Sequence, residues 1–211
     1  MLELYDYFRS SASYRARIVL SYKNIPYNRK EIHLVNNGGE QHTASYKKIN
    51  PQGLVPSLID QNNNFCLTQS LAIIEYLEEV YPQPSLLPKD PFLRAESRSL
   101  AYIFACDVHP LNNLRVLNYL KENFQRTEEE ILKWYHYWLI KGLSSFEIKI
   151  QQYTALGQFS LGESFSLADV CLIPQVYNSL RYKLPMTDYP RIMDIYKYCL
   201  NLEFIMQAKP E

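Results

Sequence analysis

The sequence has no excess of charge of either sign. Its 211 residues include 22 lysines and arginines against 22 aspartates and glutamates, so the formal net charge at neutral pH is +0. A protein that binds nucleic acid or an anionic membrane surface mainly through its charge carries a clear basic excess. The charge balance therefore argues against nucleic acid and against membrane as partners.

Long apolar runs are also missing. Although hydrophobic residues make up 47% of the chain, no stretch approaches the ~20 residues that a membrane-spanning helix needs. The N-terminus shows no pattern of a secretory signal peptide. We therefore expect a soluble, cytoplasmic protein with a packed core.

Cysteine is scarce and dispersed. Cys66, Cys106, Cys171 and Cys199 form no CxxC pair and show no matching histidine spacing, so the sequence predicts neither a zinc site nor a disulfide framework. Each lies in an apolar stretch, and we expect four buried, unreactive thiols. The four histidines are equally scattered, which argues against any metal site.

A strand-to-helix turn near the N-terminus carries the most informative residues. Residues 2–7 alternate as a strand does, and the serines Ser10 and Ser11 then precede a helical pattern. Helix N-termini attract anions because their first amides are unpaired and the macrodipole is positive there. A hydroxyl in that field can donate to a thiolate and lower the pKa of the thiol. Since the turn contains no cysteine, the sulfur must come from a cofactor.

Further motifs follow this turn in order along the chain. They are NPQGLVPSL at residues 50–58, TQSLAIIEYL at 68–77 and SFSLAD at 164–169. Together with the first motif, they resemble the cytosolic glutathione transferases. The SSxSxRxRI form of the first motif, with DVHPLNNL at 107–114, resembles the zeta class. The resemblance extends over essentially the whole chain.

The periodicity predicts an α+β protein of two domains. Residues 1–81 alternate strand and helix signals, and their order predicts a thioredoxin-like domain of βαβαββα type. Prolines cluster between residues 82 and 91 and mark a linker. Residues 88–211 are helical in pattern throughout and predict an all-helical domain. Within it, an apolar stripe over residues 100–117 predicts one long helix kinked at Pro110.

Two helix starts in the second half are predicted from capping boxes. In the first, Thr127 is followed three residues later by Glu130. In the second, Ser166 is followed by Asp169, and Phe165 and Val170 are spaced as a hydrophobic staple. We interpret Asp169 as a structural residue.

The resemblance implies a glutathione site built from these motifs. Ser11 would activate the thiol with Ser10 in support, and Val55, before a cis Pro56, would pair with the peptide backbone of the ligand. Gln69 and Ser70 would bind the γ-glutamyl carboxylate at a helix start. The implied cofactor-binding residues are Ser10, Ser11, Ala12, Ser13, Tyr14, Arg15, Gln41, Val55, Pro56, Gln69, Ser70, His109, Asn113, Leu114 and Arg115.

Some of these residues have other interpretations. A serine before a helix is commonly an N-cap, Val55-Pro56 can be a simple turn, and His109 can satisfy a backbone carbonyl. Tyr5 and Tyr7 are alternative thiol activators, because some glutathione transferases use a tyrosine, but they lie in the strand before the turn. Many zeta-class chains have cysteine where this chain has Ala12, which excludes a protein thiol in the turn and leaves the hydroxyl of Ser11.

The resemblance implies cis–trans isomerisation of maleylacetoacetate to fumarylacetoacetate, in the degradation of tyrosine and phenylalanine. Reversible addition of the glutathione thiolate would make the rigid double bond rotatable. The substrate is a small dianion, for which arginine is the preferred partner. The candidate substrate-binding residues are Arg9, Arg15, Arg115 and Arg181.

Other functions of this fold stay open at this point. They are maleylpyruvate isomerase, a general glutathione transferase or peroxidase, and a non-enzymatic regulator that binds other proteins. The resemblance also implies a homodimer, and the 18 tyrosines supply apolar area that such an interface would cover.

Overall fold

A computed structural model describes residues 1–153 and 157–210 of the chain. It contains two compact units, one of Met1–Ser85 together with the segment from Leu202 onward, the other of Leu86–Asn201. The sequence assigned the C-terminal segment to the helical domain, and the structure instead packs it on the first unit. Glu211, the predicted end of the second domain, lies outside the described residues.

The first unit is built on a mixed four-stranded sheet of order β2-β1-β3-β4. β1 pairs in parallel with β2 and antiparallel with β3, which pairs antiparallel with β4. β1 alternates as predicted, with Leu2, Leu4 and Asp6 buried. The strands are β1 (Leu2–Asp6), β2 (Tyr27–Glu31), β3 (Ser57–Asp60) and β4 (Phe65–Thr68).

The helices confirm the predicted fold class. They are α1 (Ser11–Tyr22), α2 (Ala44–Ile49), α3 (Ser70–Val80), α4 (Pro91–Tyr102), α5 (Leu114–Asn123), α6 (Glu128–Gln151), α7 (Leu167–Arg181), α8 (Pro190–Cys199) and α9 (Glu203–Ala208). The first unit therefore has the βαβαββα order of a thioredoxin-like domain, and α1 packs against both α3 and α9. No helix within the described residues is both long and apolar enough to cross a membrane.

The single kinked helix predicted over residues 100–117 is wrong. α4 ends at Tyr102 and continues as a π-helical turn over Ile103–Val108, after which the chain turns before α5. Pro110 has no amide hydrogen with which to continue the helix. Asn113 then caps α5, because its side chain accepts from the Arg115 amide at 3.1 Å. The chain thus forms two helices where the apolar stripe indicated one.

Both predicted capping boxes are present. The Thr127 side chain accepts from the Glu130 amide, and Glu130 accepts from the Thr127 amide. The second box is buried: Asp169 is 0% exposed and accepts from the amide and hydroxyl of both Ser160 and Ser166, at distances of 2.6 to 3.0 Å. These four bonds give Asp169 a structural role at the start of α7.

We expect the protein to lose stability in strongly alkaline solution. Burial raises the pKa of Tyr46 and of Tyr196 to about 12, from 10.0. Because folding favours the neutral phenols, the unfolded chain binds fewer protons than the folded one above pH 10. The contribution of these tyrosines to the free energy of unfolding is therefore complete below pH 10 and is lost as the pH rises through about 12. The melting temperature should therefore fall less steeply between pH 10 and 12 in Tyr46→Phe and Tyr196→Phe than in the wild type. An unchanged slope in both variants would contradict the prediction.

Candidate functional site

The topology brings four of the predicted site segments to one edge of the sheet. Asp6 at the end of β1 is level with Glu31 at the end of β2, and Ser57 at the start of β3 pairs with both Tyr5 and Thr68. β1, β2 and β4 therefore end at the edge where β3 begins. We call this the loop edge. The segments that leave or enter it carry Ser10 and Ser11, Gln41, Val55 and Pro56, and Gln69 and Ser70.

Two serines begin α1 at the loop edge, and the structure gives them different surroundings. Ser10 is the N-cap, and its hydroxyl oxygen accepts from the Ser13 amide at 3.2 Å. This is the structural interpretation that the sequence left open for it. Ser11 is the first residue of the helix and is 5% exposed. Ser11 is therefore the serine of the pair whose hydroxyl is not the cap.

A buried arginine joins the starts of two helices. Arg15 is 2% exposed, and its Nη1 donates to the Oγ of Ser70 at 3.2 Å. Ser70 is the first residue of α3 and is also buried. The positive ends of α1 and α3 and a guanidinium thus lie together, and each of them favours a bound anion. Of the four candidate arginines, Arg15 is the one placed between these two helix starts.

The residue before Ser70 has a strained backbone. Gln69 is the N-cap of α3 and has a φ of 70° and a ψ of 116°. Residues other than glycine rarely adopt this backbone conformation. Its Nε2 donates to the Oε1 of Gln52 at 2.8 Å. Strained residues of this kind are concentrated at functional sites. The sequence motifs predicted no role for Gln52, because its partner Gln69 lies 17 positions away along the chain.

The peptide bond between Val55 and Pro56 is cis, as the resemblance implied. The preceding carbonyl, that of Leu54, accepts from the Tyr46 hydroxyl at 2.6 Å and from Asn50 Nδ2 at 2.7 Å. The hydrogen bonds among the described residues include none from the backbone of Val55. Two side chains that sequence reasoning missed, those of Tyr46 and Asn50, therefore hold the segment.

Gln41 lies in a 3₁₀ turn after β2 and is buried, with 7% exposed. Its Nε2 donates to the Leu34 carbonyl at 3.2 Å, while its Oε1 has no hydrogen-bond partner among the described residues. Gly39 makes room for this side chain: it has φ +93, and a Cβ there would lie 2.5 Å from Gln41 Nε2. The orientation of Gln41 thus depends on a glycine at position 39.

Replacing Gly39 by alanine should therefore displace the Gln41 side chain and weaken ligand binding. The matched control is Gly38→Ala, because Gly38 also has a positive φ of +79 but a Cβ there meets nothing within 4 Å. Both variants should lose about 1 kcal/mol or more of stability from backbone strain. Only Gly39→Ala should also raise the dissociation constant for glutathione, measured by calorimetry. Equal binding by the two variants would contradict the role of Gly39.

In the second unit, residues 109–113 form a turn that is held on α6. Trp134 Nε1 donates to the Leu111 carbonyl at 2.9 Å, and Asn112 Nδ2 donates to the Tyr135 carbonyl at 3.0 Å. His109 is half-buried in this turn, whereas Leu114 and Arg115 are exposed at the start of α5. Asn113 is the α5 N-cap.

Arg181 is tied to the same part of the second unit. It ends α7 with its guanidinium 5.0 Å from the centre of the Tyr182 ring, which stacks on the Tyr135 ring at 4.0 Å. Tyr135 therefore contacts both the 109–113 turn and the residue beside Arg181. In the first unit, Arg9 is exposed in the loop before Ser10 and lies over the Phe8 ring at 4.8 Å.

The cysteines do not all match expectation. All four are free thiols, but only Cys171 and Cys199 are buried, so the predicted burial is wrong for Cys66 and Cys106. Cys66 lies on the edge strand β4, where one face points to solvent, and Cys106 lies on the outer side of the π-helical turn. Within the described residues, no group of three or more histidines, cysteines or carboxylates could hold a metal ion.

Known proteins match this fold and these motifs. Residues 4–85 match the family model of the glutathione S-transferase N-terminal domain. A probable maleylacetoacetate isomerase of Vibrio cholerae is 46% identical over 100% of this chain and 96% of its own. A solved structure, the holo form of maleylpyruvate isomerase, a bacterial glutathione S-transferase of the zeta class, has a TM-score of 0.94 and 39% identity, over 99% of this chain and 96% of that one. The chain belongs to the zeta class of glutathione transferases.

A second solved structure of a relative bears on the ligand of this transferase. The maleylacetoacetate isomerase of Methylobacterium extorquens AM1 was crystallised with bound malonate and glutathione. It has a TM-score of 0.93 and 38% identity to this transferase, over 99% of this chain and 96% of that one. A dicarboxylate and glutathione thus bind to a protein of the same fold and class.

Proposed function

We propose that this transferase is a glutathione-dependent cis–trans isomerase that converts maleylacetoacetate to fumarylacetoacetate, in the breakdown of tyrosine and phenylalanine. The observation that carries the proposal is the loop edge, where Ser11 and Arg15 follow the end of β1, Ser70 follows the end of β4, and the Val55 backbone precedes the start of β3. The 46% identity to the Vibrio cholerae protein supports the same reaction.

The groups at the loop edge fit glutathione part by part. Ser70 and Arg15 at two helix starts suit the γ-glutamyl carboxylate. The Val55 amide and carbonyl, which pair with no described residue, suit the cysteinyl peptide unit. Gln41 Oε1, buried without a partner among the described residues, suits an amide hydrogen toward the glycyl end. Glutathione offers a complementary group to each of them.

Bound glutathione supplies a thiolate that adds reversibly to the double bond and so allows rotation about it. Ser11 holds this sulfur as the anion by donating its hydroxyl hydrogen, and the positive end of α1 adds to the effect. Ser10 caps α1 and keeps its first turn in place. Ala12, Ser13 and Tyr14 complete that turn of the helix.

Arginines bind the two carboxylates of the substrate. The Arg181 guanidinium lies over the Tyr182 ring and is exposed, so it is accessible to a carboxylate. Arg9 and Arg115 are exposed and able to reach a ligand from solvent. His109, Asn113 and Leu114 complete the contacts that the class resemblance assigns to the helical unit. Because Arg15 is buried beside Ser70, its guanidinium binds the γ-glutamyl carboxylate of glutathione rather than a carboxylate of the substrate.

Maleylpyruvate is the second candidate substrate. The bacterial zeta-class maleylpyruvate isomerase superposes on this chain with a TM-score of 0.94, at 39% identity, and both substrates undergo the same bond rotation. A general transferase or peroxidase would use the same glutathione site with another acceptor. A non-enzymatic regulator is disfavoured, because it has no need of Ser11 or of the strained Gln69.

The deciding experiment offers maleylacetoacetate and maleylpyruvate side by side to the protein, with and without glutathione. We expect faster turnover of maleylacetoacetate and none without glutathione. Faster turnover of maleylpyruvate would select the second candidate. Glutathione binding with no isomerisation of either would leave a transferase or peroxidase, and failure to bind immobilised glutathione would leave the regulator.

The protein is further proposed to be a cytoplasmic homodimer. The basis is the pairing seen across the superfamily, in which the first domain of one subunit meets the second domain of its partner. Exposed aromatic residues such as Phe92, Tyr119 and Tyr137 offer apolar area for an interface. Sedimentation should give twice the chain mass of 24.9 kDa, and a monomer at micromolar concentration would contradict the dimer.

A further inference from the structure

Arg17 and Asp6 form a buried ion pair that has no part in the proposed reaction. Arg17 is 4% exposed and Asp6 is 0% exposed, and Arg17 Nη1 lies 2.6 Å from Asp6 Oδ1. The other oxygen of Asp6 lies 2.6 Å from the Nε of Arg29 on β2. A buried pair of this kind contributes little to stability compared with a well-packed apolar pair. The backbone groups that the Arg17 guanidinium binds therefore indicate its role better than the ion pair does.

The same guanidinium holds the backbone that leads to the serines. Arg17 Nη2 donates to the Phe8 carbonyl at 2.9 Å, and Nη1 approaches the Tyr7 carbonyl at 3.4 Å. The Tyr7 carbonyl also accepts from the Ser10 amide at 2.9 Å. Arg17 therefore fixes the path of the chain between the end of β1 and Ser11. A planar fork of donors can serve several oxygens at once, which the point charge of lysine cannot.

The third nitrogen of the Arg17 guanidinium bonds to the C-terminal helix α9. Arg17 Nε donates at 2.9 Å to the carbonyl of Ala208, the last residue of α9, which is 191 positions away. A cation at the C-terminal end of a helix is favourable, because the carbonyls there carry negative charge. The Ser21 hydroxyl bonds to Gln207 Oε1 at 2.8 Å as a second, exposed link between α1 and α9.

We propose that Arg17 is a positioning residue for the turn that carries Ser11, and that α9 takes part in positioning it through the Ala208 carbonyl. The inference rests on the proposed function, since it assumes that Ser11 stabilises the glutathione thiolate. Asp6, which also pairs with Arg29, holds the guanidinium from the sheet side, and the Ala208 carbonyl holds it from the helix side. The orientation of Ser11 thus depends on contacts that it does not itself make.

The first test is Arg17→Lys, which keeps the charge and removes the fork. We expect the pKa of the bound glutathione thiol to rise by about one pH unit, with about a tenfold loss of turnover near neutral pH. The dissociation constant of glutathione should change much less, because Val55, Ser70 and Arg15 are untouched. The measurements are ultraviolet thiolate absorbance against pH in the enzyme–glutathione complex, and the pH profile of turnover.

The matched control is Lys23→Met. Lys23 is another buried cation at the other end of α1; it pairs with Glu78 and donates to the carbonyls of Tyr81 and Pro84. Its loss should lower stability without moving the pKa of the bound thiol. If Arg17→Lys also loses only stability and keeps the wild-type thiol pKa, Arg17 is merely structural and the proposal is overturned.

A second pair of variants tests α9 even if Arg17→Lys fails to fold. Lys209→Pro biases Ala208 away from the helical conformation and removes the bond from the Lys209 amide to the Ile205 carbonyl. Lys209→Ala changes the same exposed side chain and keeps the backbone. We expect the thiol pKa to rise in Lys209→Pro and not in Lys209→Ala, and equal values would overturn the role of α9.

These outcomes are separate from those of the proposed reaction. A wild-type protein that binds glutathione as a thiolate but isomerises neither substrate refutes the reaction and leaves the thiol measurements valid. Normal isomerisation by the wild type, together with an unshifted thiol in Arg17→Lys and Lys209→Pro, refutes only the positioning role.

Discussion

Replacing Ser11 with alanine is expected to reduce turnover near neutral pH by on the order of 10²–10³, the usual cost of one donor to a reacting anion. The reason is that Ser11 begins α1, is 5% exposed and is not the helix cap. Without its hydroxyl, the pKa of the bound glutathione thiol should rise. Glutathione binding should weaken only modestly, because the proposed site assigns most of the anchoring to Val55, Gln69 and Ser70.

Ser10→Ala is the control for this prediction. Its hydroxyl oxygen accepts from the Ser13 amide, so its loss should cost about 1 kcal/mol of stability and less turnover than Ser11→Ala. Thiolate absorbance of the glutathione complex against pH distinguishes the two serines. If the Ser11→Ala curve overlays the wild type and the Ser10→Ala curve shifts, the roles of the serines are reversed.

The largest loss of stability is expected from Asp169→Ala. The carboxylate accepts four hydrogen bonds at the start of α7 and is 0% exposed. Its removal leaves the buried amides and hydroxyls of Ser160 and Ser166 without an acceptor, at about 1–3 kcal/mol each for the amides. We expect a total loss of about 3–5 kcal/mol in denaturant unfolding.

Asp90→Ala is the matched comparison for Asp169. Asp90 caps α4 by accepting from the Leu93 amide at 2.9 Å, but it is exposed. Its loss should cost only about 1 kcal/mol. Because neither residue is in the glutathione site, the glutathione dissociation constant of the folded fraction should stay at the wild-type value. Similar losses from both substitutions would show that burial of the Asp169 network adds nothing beyond a cap.

Local patterns were sufficient to predict the fold of the first unit. Alternation over β1 and the serines at the start of α1 each depend on neighbouring residues, and both are confirmed. Once the strand order is known, the meeting of Ser11, Val55 and Ser70 at one edge follows from strand direction. Much of the candidate site was therefore predictable from short motifs taken in chain order.

What the sequence could not predict depends on contacts between distant residues. The bond from Tyr46 to the Leu54 carbonyl and the one from Arg17 to the Ala208 carbonyl end on backbone atoms, which carry no residue-specific signal. The π-helical turn before Pro110 has the same apolar spacing as a regular helix, so periodicity predicted one helix there. The strain at Gln69 is a backbone property without any sequence pattern.

The C-terminal helix has a consequence for biosynthesis. Because α9 packs on α1 and its last carbonyl is bound by Arg17, the first unit combines residues 1–85 with a helix more than a hundred residues further along the chain. Residues 1–85 emerge from the ribosome long before residues 203–208. The first unit therefore cannot form its contacts with α9 until the helical unit has also been synthesised. Pairings this distant in sequence form slowly. The nascent first unit thus stays incomplete until α9 has been synthesised.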